Sequence, residues 1–179
     1  MGVLTRLGRA AAFCAAGIAC ASCEAPDPDP LPRTLRVAVS TDLATETEID
    51  AMRITVERGG SEVFAKTYDQ AALDALPDSL LLSNAQRLDD TGSPILTPIA
   101  IHVTALLADQ VVVERTAELV FQNDEAKLLR LPLCAACKGV TCEAGETCVR
   151  GTCSDASVNI DSLPGDGEGV ELAGECAAE

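Results

Sequence analysis

The residues in this 179-residue chain best equipped for chemistry are its cysteines. Six of them, Cys134, Cys137, Cys142, Cys148, Cys153 and Cys176, fall in the last quarter. Thiols at that density either close disulfides in an oxidising compartment or ligate a metal. Cys134-Ala-Ala-Cys137 has the C-x2-C spacing of a zinc knuckle. A closed zinc site takes a second pair at similar spacing, and the following gaps of four, five and four residues supply none. Carboxylates cluster twice: Asp42, Glu46, Glu48 and Asp50 in one stretch, and Asp161, Asp166, Glu168, Glu171 and Glu175 in another. Hard oxygen ligands suit calcium, but the D-x-D-x-D-G pattern of a dedicated loop is missing, and a solvated acidic surface accounts for the same residues. His102 is the sole histidine and lies between Ile101 and Val103, on the polar side of an alternating run. With no partner at a recognisable spacing it reads as a half-exposed strand residue rather than a catalytic base. Nucleophile-elbow, zincin, P-loop and dinucleotide-binding motifs are all lacking. The expectation is a non-enzymatic protein with no catalytic residue, no metal site and no cofactor.

The elements that must position these residues read as strands. Between Arg33 and Leu133 apolar side chains recur with period two, as on one face of a sheet. Leu35, Val37 and Val39 form one such set, and Met52, Ile54 and Val56 a second. Gly59-Gly60 follows as a hairpin turn into Glu62–Lys66. Leu80 to Leu82 suggests a short strand, and Ile99 to Leu107 a long one. Ala108-Asp109-Gln110 is the next turn, after which Val111, Val113, Arg115 and Ala117 share a face, with the strand continuing to Phe121 and a last candidate at Ala126 to Leu133. Asp69 to Leu76 is richer in helix formers and is ended by Pro77. Six or seven short strands in this space predict an antiparallel β-sandwich that resembles the immunoglobulin-like class, without the tryptophan and cysteines of antibody domains. Phe13, Phe64, Tyr68 and Phe121 are the only aromatics, so the core must be built from Val, Ile, Leu and Ala.

The N-terminus reads as an export signal. Arg6 and Arg9 precede an uninterrupted small and apolar run from Ala10 to Ala21, shorter than the roughly 20 residues a spanning helix requires. The run ends in Gly17-Ile18-Ala19-Cys20-Ala21-Ser22-Cys23, which resembles the lipobox of bacterial lipoproteins. The resemblance implies that Cys23 becomes the lipidated first residue, with Cys20 as the alternative acceptor. Ala19-Cys20-Ala21 also satisfies the A-x-A pattern of ordinary cleavage after Ala21. Glu24 to Pro32 then alternates proline with acid, a composition that favours extended polyproline II and makes a spacer on the order of 25 Å long.

The stretch Cys137 to Cys153, with Gly145 and Gly151 at turn positions, resembles the small EGF-like repeats of secreted proteins, although it lacks their C-x-C step. That resemblance implies Cys137 paired with Cys148 and Cys142 with Cys153, leaving Cys134 for Cys176. Spacing alone does not choose among the possible pairings. Seven acids and no base follow Cys153, so the tail is expected to be mobile unless Cys176 ties it back. The layout is then a signal peptide at 1–22, a lipid anchor and spacer at 23–32, a β-sandwich at 33–133, a disulfide-rich module at 134–153 and an acidic tail at 154–179. It resembles myxobacterial-type surface lipoproteins of unknown function. This implies an exported protein anchored in the outer membrane or at the cell surface by an N-terminal lipid, presenting its sandwich as a structural domain or to an envelope or extracellular protein partner. The alternative is a secreted, unanchored binding module stabilised by calcium. A formal charge of −15 with no two adjacent basic residues excludes a nucleic-acid partner.

Overall fold

In the computed structural model the period-two segments become seven strands in two sheets. The structure describes residues 33–84, 90–91, 96–120, 125–167 and 171–176. The signal segment, Cys20, Cys23 and the spacer lie outside the described residues, as do Phe121 and Glu168. Strands β1 (Arg33–Thr41), β4 (Asp78–Asn84) and β7 (Lys127–Leu133) form a three-stranded sheet in the order β4-β1-β7. Strands β2 (Ala51–Arg58), β3 (Ser61–Tyr68), β5 (Pro98–Leu107) and β6 (Gln110–Val120) form a four-stranded sheet in the order β3-β2-β5-β6. Two sheets face to face are the sandwich that the alternation predicts, but one strand pair departs from the antiparallel expectation, because β1 and β7 run parallel. The order also differs from that of antibody constant domains, whose first, second, fourth and fifth strands share a sheet.

The core lies where the alternation places it. Leu35, Val37 and Val39 from β1 and Leu129, Leu131 and Leu133 from β7 face Met52, Ile54, Val56, Ile99, Ile101, Val103 and Ala105 from the other sheet, all buried. Aliphatic side chains interlock well enough here to do without central aromatics; Phe64 and Tyr68 are only partly buried at the margin. Each buried aliphatic side chain contributes about 1.5–3 kcal/mol relative to solvent exposure. Gly59 and Gly60 both take positive φ in the β2–β3 turn, as the Gly-Gly signal requires. The β5–β6 turn uses Ala108 and Asp109 at positive φ, a conformation unfavourable for side-chain-bearing residues, and it is held by the Asp50 carboxylate accepting from the Ala108 N–H at 2.8 Å. The helical stretch shrinks to one turn, α1 (Gln70–Leu73), whose N-cap Asp69 accepts from the Ala72 N–H. Its Leu73 is buried between the sheets as the chain passes from β3 to β4.

The described residues fall in one compact unit, so the cysteine segment and the described part of the tail are continuous with the sandwich rather than separate bodies. A short hairpin, β8 (Glu146–Val149) with β9 (Thr152–Asp155), leads from the cysteine segment into the tail.

Candidate functional site: the disulfide-bonded C-terminal segment

The cysteine segment begins where β7 ends. Cys134 caps a 3-10 turn at Ala135–Cys137, and the Ala135 N–H donates to the Asp42 carboxylate at 2.7 Å, joining the turn to the β1–β2 loop. Lys138 pairs with Glu48 of the same loop, and the Glu48 carboxylate also accepts from the Ala44 N–H at 2.7 Å. The lysine, and secondarily that backbone donor, hold Glu48 below the ordinary carboxylate value of 4.5. Arg150 and Gly151 make the β8–β9 turn, both at positive φ. Glycine is required at 151 for a second reason: a Cβ there would sit 3.2 Å from the Ala136 carbonyl oxygen, while the Gly151 N–H points at Cys137 Sγ at 3.3 Å.

All six cysteines of the segment are joined in disulfides, Cys134–Cys176, Cys137–Cys148 and Cys142–Cys153, with Cα separations of 5.1, 5.8 and 5.5 Å. These are the pairs that the EGF-like resemblance implies. Cys134 and Cys137 go to different partners, so the C-x2-C pair is no zinc knuckle. Cys137 and Cys148 are buried and belong to the sandwich core, whereas Cys142 and Cys153 lie further out.

Hairpin and tail together close one long side of the sandwich. Beside β6, the Thr116 N–H donates to Thr147 Oγ1 at 2.8 Å, the Glu118 N–H to the Ala156 carbonyl at 2.8 Å, and the Val158 N–H to the Glu118 carbonyl at 2.7 Å. Beside β7, the Leu128 N–H donates to the Pro164 carbonyl and the Asp166 N–H to the Ala126 carbonyl, both at 2.9 Å. The chain then crosses the outer face of the three-stranded sheet. Arg130 donates to the Glu171 carbonyl, and the Gly174 N–H to Ser40 Oγ at 2.9 Å, before Cys176 reaches Cys134. Ala156 and Ile160 are buried, with Val158 and Leu163 packed against the core. The acidic tail is therefore a strap, tied back by Cys176. The Cys134–Cys176 bridge supplies the tie that the sequence reading makes conditional, whereas the docking beside β6 and β7 was hidden among acids, although Ala156, Val158 and Ile160 recur with period two.

Four of the clustered carboxylates have structural roles. Asp42, Glu48 and Asp50 hold backbone donors, and Asp166 pairs with Arg36 at 2.8 Å. Among the described residues the only groups with metal-ligand proximity are Asp42 with Cys134 and Cys176, and Glu146 with Cys142 and Cys153, and in both the sulfurs are already bonded to each other. His102 stands half-buried on the outer face of the four-stranded sheet, with Nδ1 3.1 Å from Thr116 Oγ1 and 4.0 Å from a Glu114 carboxylate oxygen. Both neighbours approach the same ring nitrogen, which orients the ring but is not the two-sided relay of a hydroxyl, an imidazole and a carboxylate.

No protein-family model, curated protein or solved structure matches the chain. No helix among the described residues is long and apolar enough to cross a membrane.

Proposed function

We propose that this is an exported lipoprotein, anchored to the cell envelope through Cys23, whose strapped sandwich is a non-enzymatic structural or protein-interaction domain. The observation that carries the reading is the closure of all six C-terminal cysteines into three disulfides within one compact unit. Such bridges persist outside the reducing cytosol. The basic and apolar start of the chain supplies the route there, and the proline-acid stretch supplies a tether. Loops, sheet faces and the strap, rather than a catalytic constellation, are what the domain offers a partner.

Intact mass spectrometry of the protein from its native host, without reductant, tests this. The expected species starts at Cys23, carries a diacyl or triacyl addition and lacks six hydrogens relative to the reduced chain. A chain starting at Ser22 without lipid overturns the anchor and makes the protein a secreted module. Six free thiols overturn export to an oxidising compartment.

A further inference from the structure

The unclaimed chemistry in this molecule is a set of arginines. Most described cations have partners: Arg36 pairs with Asp166, Arg53 with Glu62, Lys127 with Glu125 and Lys138 with Glu48, while Lys66 lies over the Tyr68 ring. Arg115, Arg130 and Arg150 form no ion pair with any described residue, and all three line one cavity of about 520 Å³ between the sandwich, the β8–β9 turn and the strap. In a chain of net charge −15, convergence of three guanidinium groups with no ion pair among the described residues is unexpected from composition.

The structure uses only part of their capacity. A guanidinium has five N–H donors. Arg115 projects from the core-facing side of β6 between the buried Val113 and Ala117, and donates through Nη1 to the Cys148 carbonyl at 2.6 Å. Its Nε is buried and has no acceptor. An unmet donor on a desolvated charge costs about 1–3 kcal/mol or more. Burial correspondingly pushes the Arg115 pKa down. Arg130 places Nε and Nη2 on the Glu171 carbonyl at 3.0 and 2.7 Å, leaving Nη1. Arg150 makes no hydrogen bond to any described residue, although the hairpin holds its backbone at φ +50. Glu171 and Glu175 also line the cavity, but both are exposed whereas the arginines are half-buried, so the acids form a rim and the cations a floor.

We propose that this cavity is a binding site for a small oxyanion, a carboxylate or phosphate group, received by the free N–H donors of Arg115, Arg130 and Arg150. Guanidinium forks match both groups because each presents two or more oxygens at the right spacing. The acidic rim selects against large polyanions and for a single anionic head on a neutral or cationic body. The volume is within the range of small-molecule sites.

The test is titration of the disulfide-intact protein with sodium phosphate and, separately, sodium acetate, following the arginine side-chain Nε–H resonances by NMR. The expected result is a saturable shift at Arg115 and Arg150 with either anion, the lower saturating concentration identifying the preferred head group, and no comparable shift at Arg53. Arg150→Gln, at a turn position without side-chain partners, should weaken binding about tenfold, as expected for losing one charge-assisted hydrogen bond, and Arg130→Gln should do likewise. Arg115→Gln is not needed, which avoids its packing role. Linear, non-saturating shifts shared with Arg53, or binding unchanged in both variants, would overturn the site.

Discussion

The two long sides of the sandwich are closed by different means. On the β3–β4 side the connection itself does it: α1 begins two residues after β3 ends, is capped by Asp69, and lowers Leu73 between the sheets. On the β6–β7 side the closing residues, Ala156 to Asp166, come from the far end of the chain, past a disulfide-bonded hairpin, and are held by hydrogen bonds of Ala156 and Val158 with β6 and of Pro164 with β7. A local closure forms with the strands it joins. A distant one must overcome the entropy of a long loop, and here three covalent bridges reduce that entropy in the unfolded chain. The strap also covers strand edges that would otherwise offer unpaired backbone groups to other chains. At the opposite edge β3 relies on charge instead, with Lys66 beside Tyr68 on its core-facing side and Glu62 paired to Arg53.

The comparison breaks if the strap does not depend on its bridges. Cys134 and Cys176 are separated by 42 residues, the longest of the three loops. The double variant Cys134→Ala/Cys176→Ala should lose about 4 kcal/mol by loop entropy, read from denaturant unfolding. Amide exchange should rise at Leu128 and Val158 but not in β2 or β5. Uniform exchange throughout would show that strap and sandwich open together.

A second experiment sharpens it. Leu73 and Ile160 are comparably buried, at 2 and 4 % exposure, one on each side. Leu73→Ala and Ile160→Ala should each cost about 2–5 kcal/mol in the native background. Once Cys134 and Cys176 are removed, the Ile160 effect should shrink while the Leu73 effect stays, since only Ile160 shares the strap with that bridge. Equal losses in both backgrounds would mean that the hydrogen bonds to β6 seat Ile160 unaided.

The smallest effect concerns Lys138 and Glu48, where the cysteine segment meets the β1–β2 loop. Because the folded pKa of Glu48 lies below its ordinary 4.5, its contribution is complete above that value and disappears as pH falls through the folded one. The melting temperature of Glu48→Gln should therefore sit slightly below that of the parent at pH 6. The difference should close as the pH is taken well below 4.5. A gap that persists there would assign the effect to packing.

Much of the sandwich was legible in the residues. Alternation at Leu35-Val37-Val39 and Ile99 to Ala105 predicts strands with those side chains inside, and both lie in the core. Gly59-Gly60 announces its hairpin by the same steric rule that permits it. The cysteine pairing was legible only through resemblance, since spacing leaves it open. The arginine cavity was not legible: alternation puts Arg115 on one face with Val113 and Ala117, but nothing in the sequence brings Arg130 and Arg150, 15 and 35 residues further on, to the same place.

The chain by itself determined the strands, the turns, the aliphatic core and the cysteine-dense end, because these follow from side-chain periodicity and local backbone preference. Only the tertiary structure decided that β1 and β7 run parallel, that the acidic tail is a strap, and that three arginines line one cavity with no ion pair among the described residues. Those outcomes depend on contacts between distant segments, and net composition contains no information about which distant groups come together.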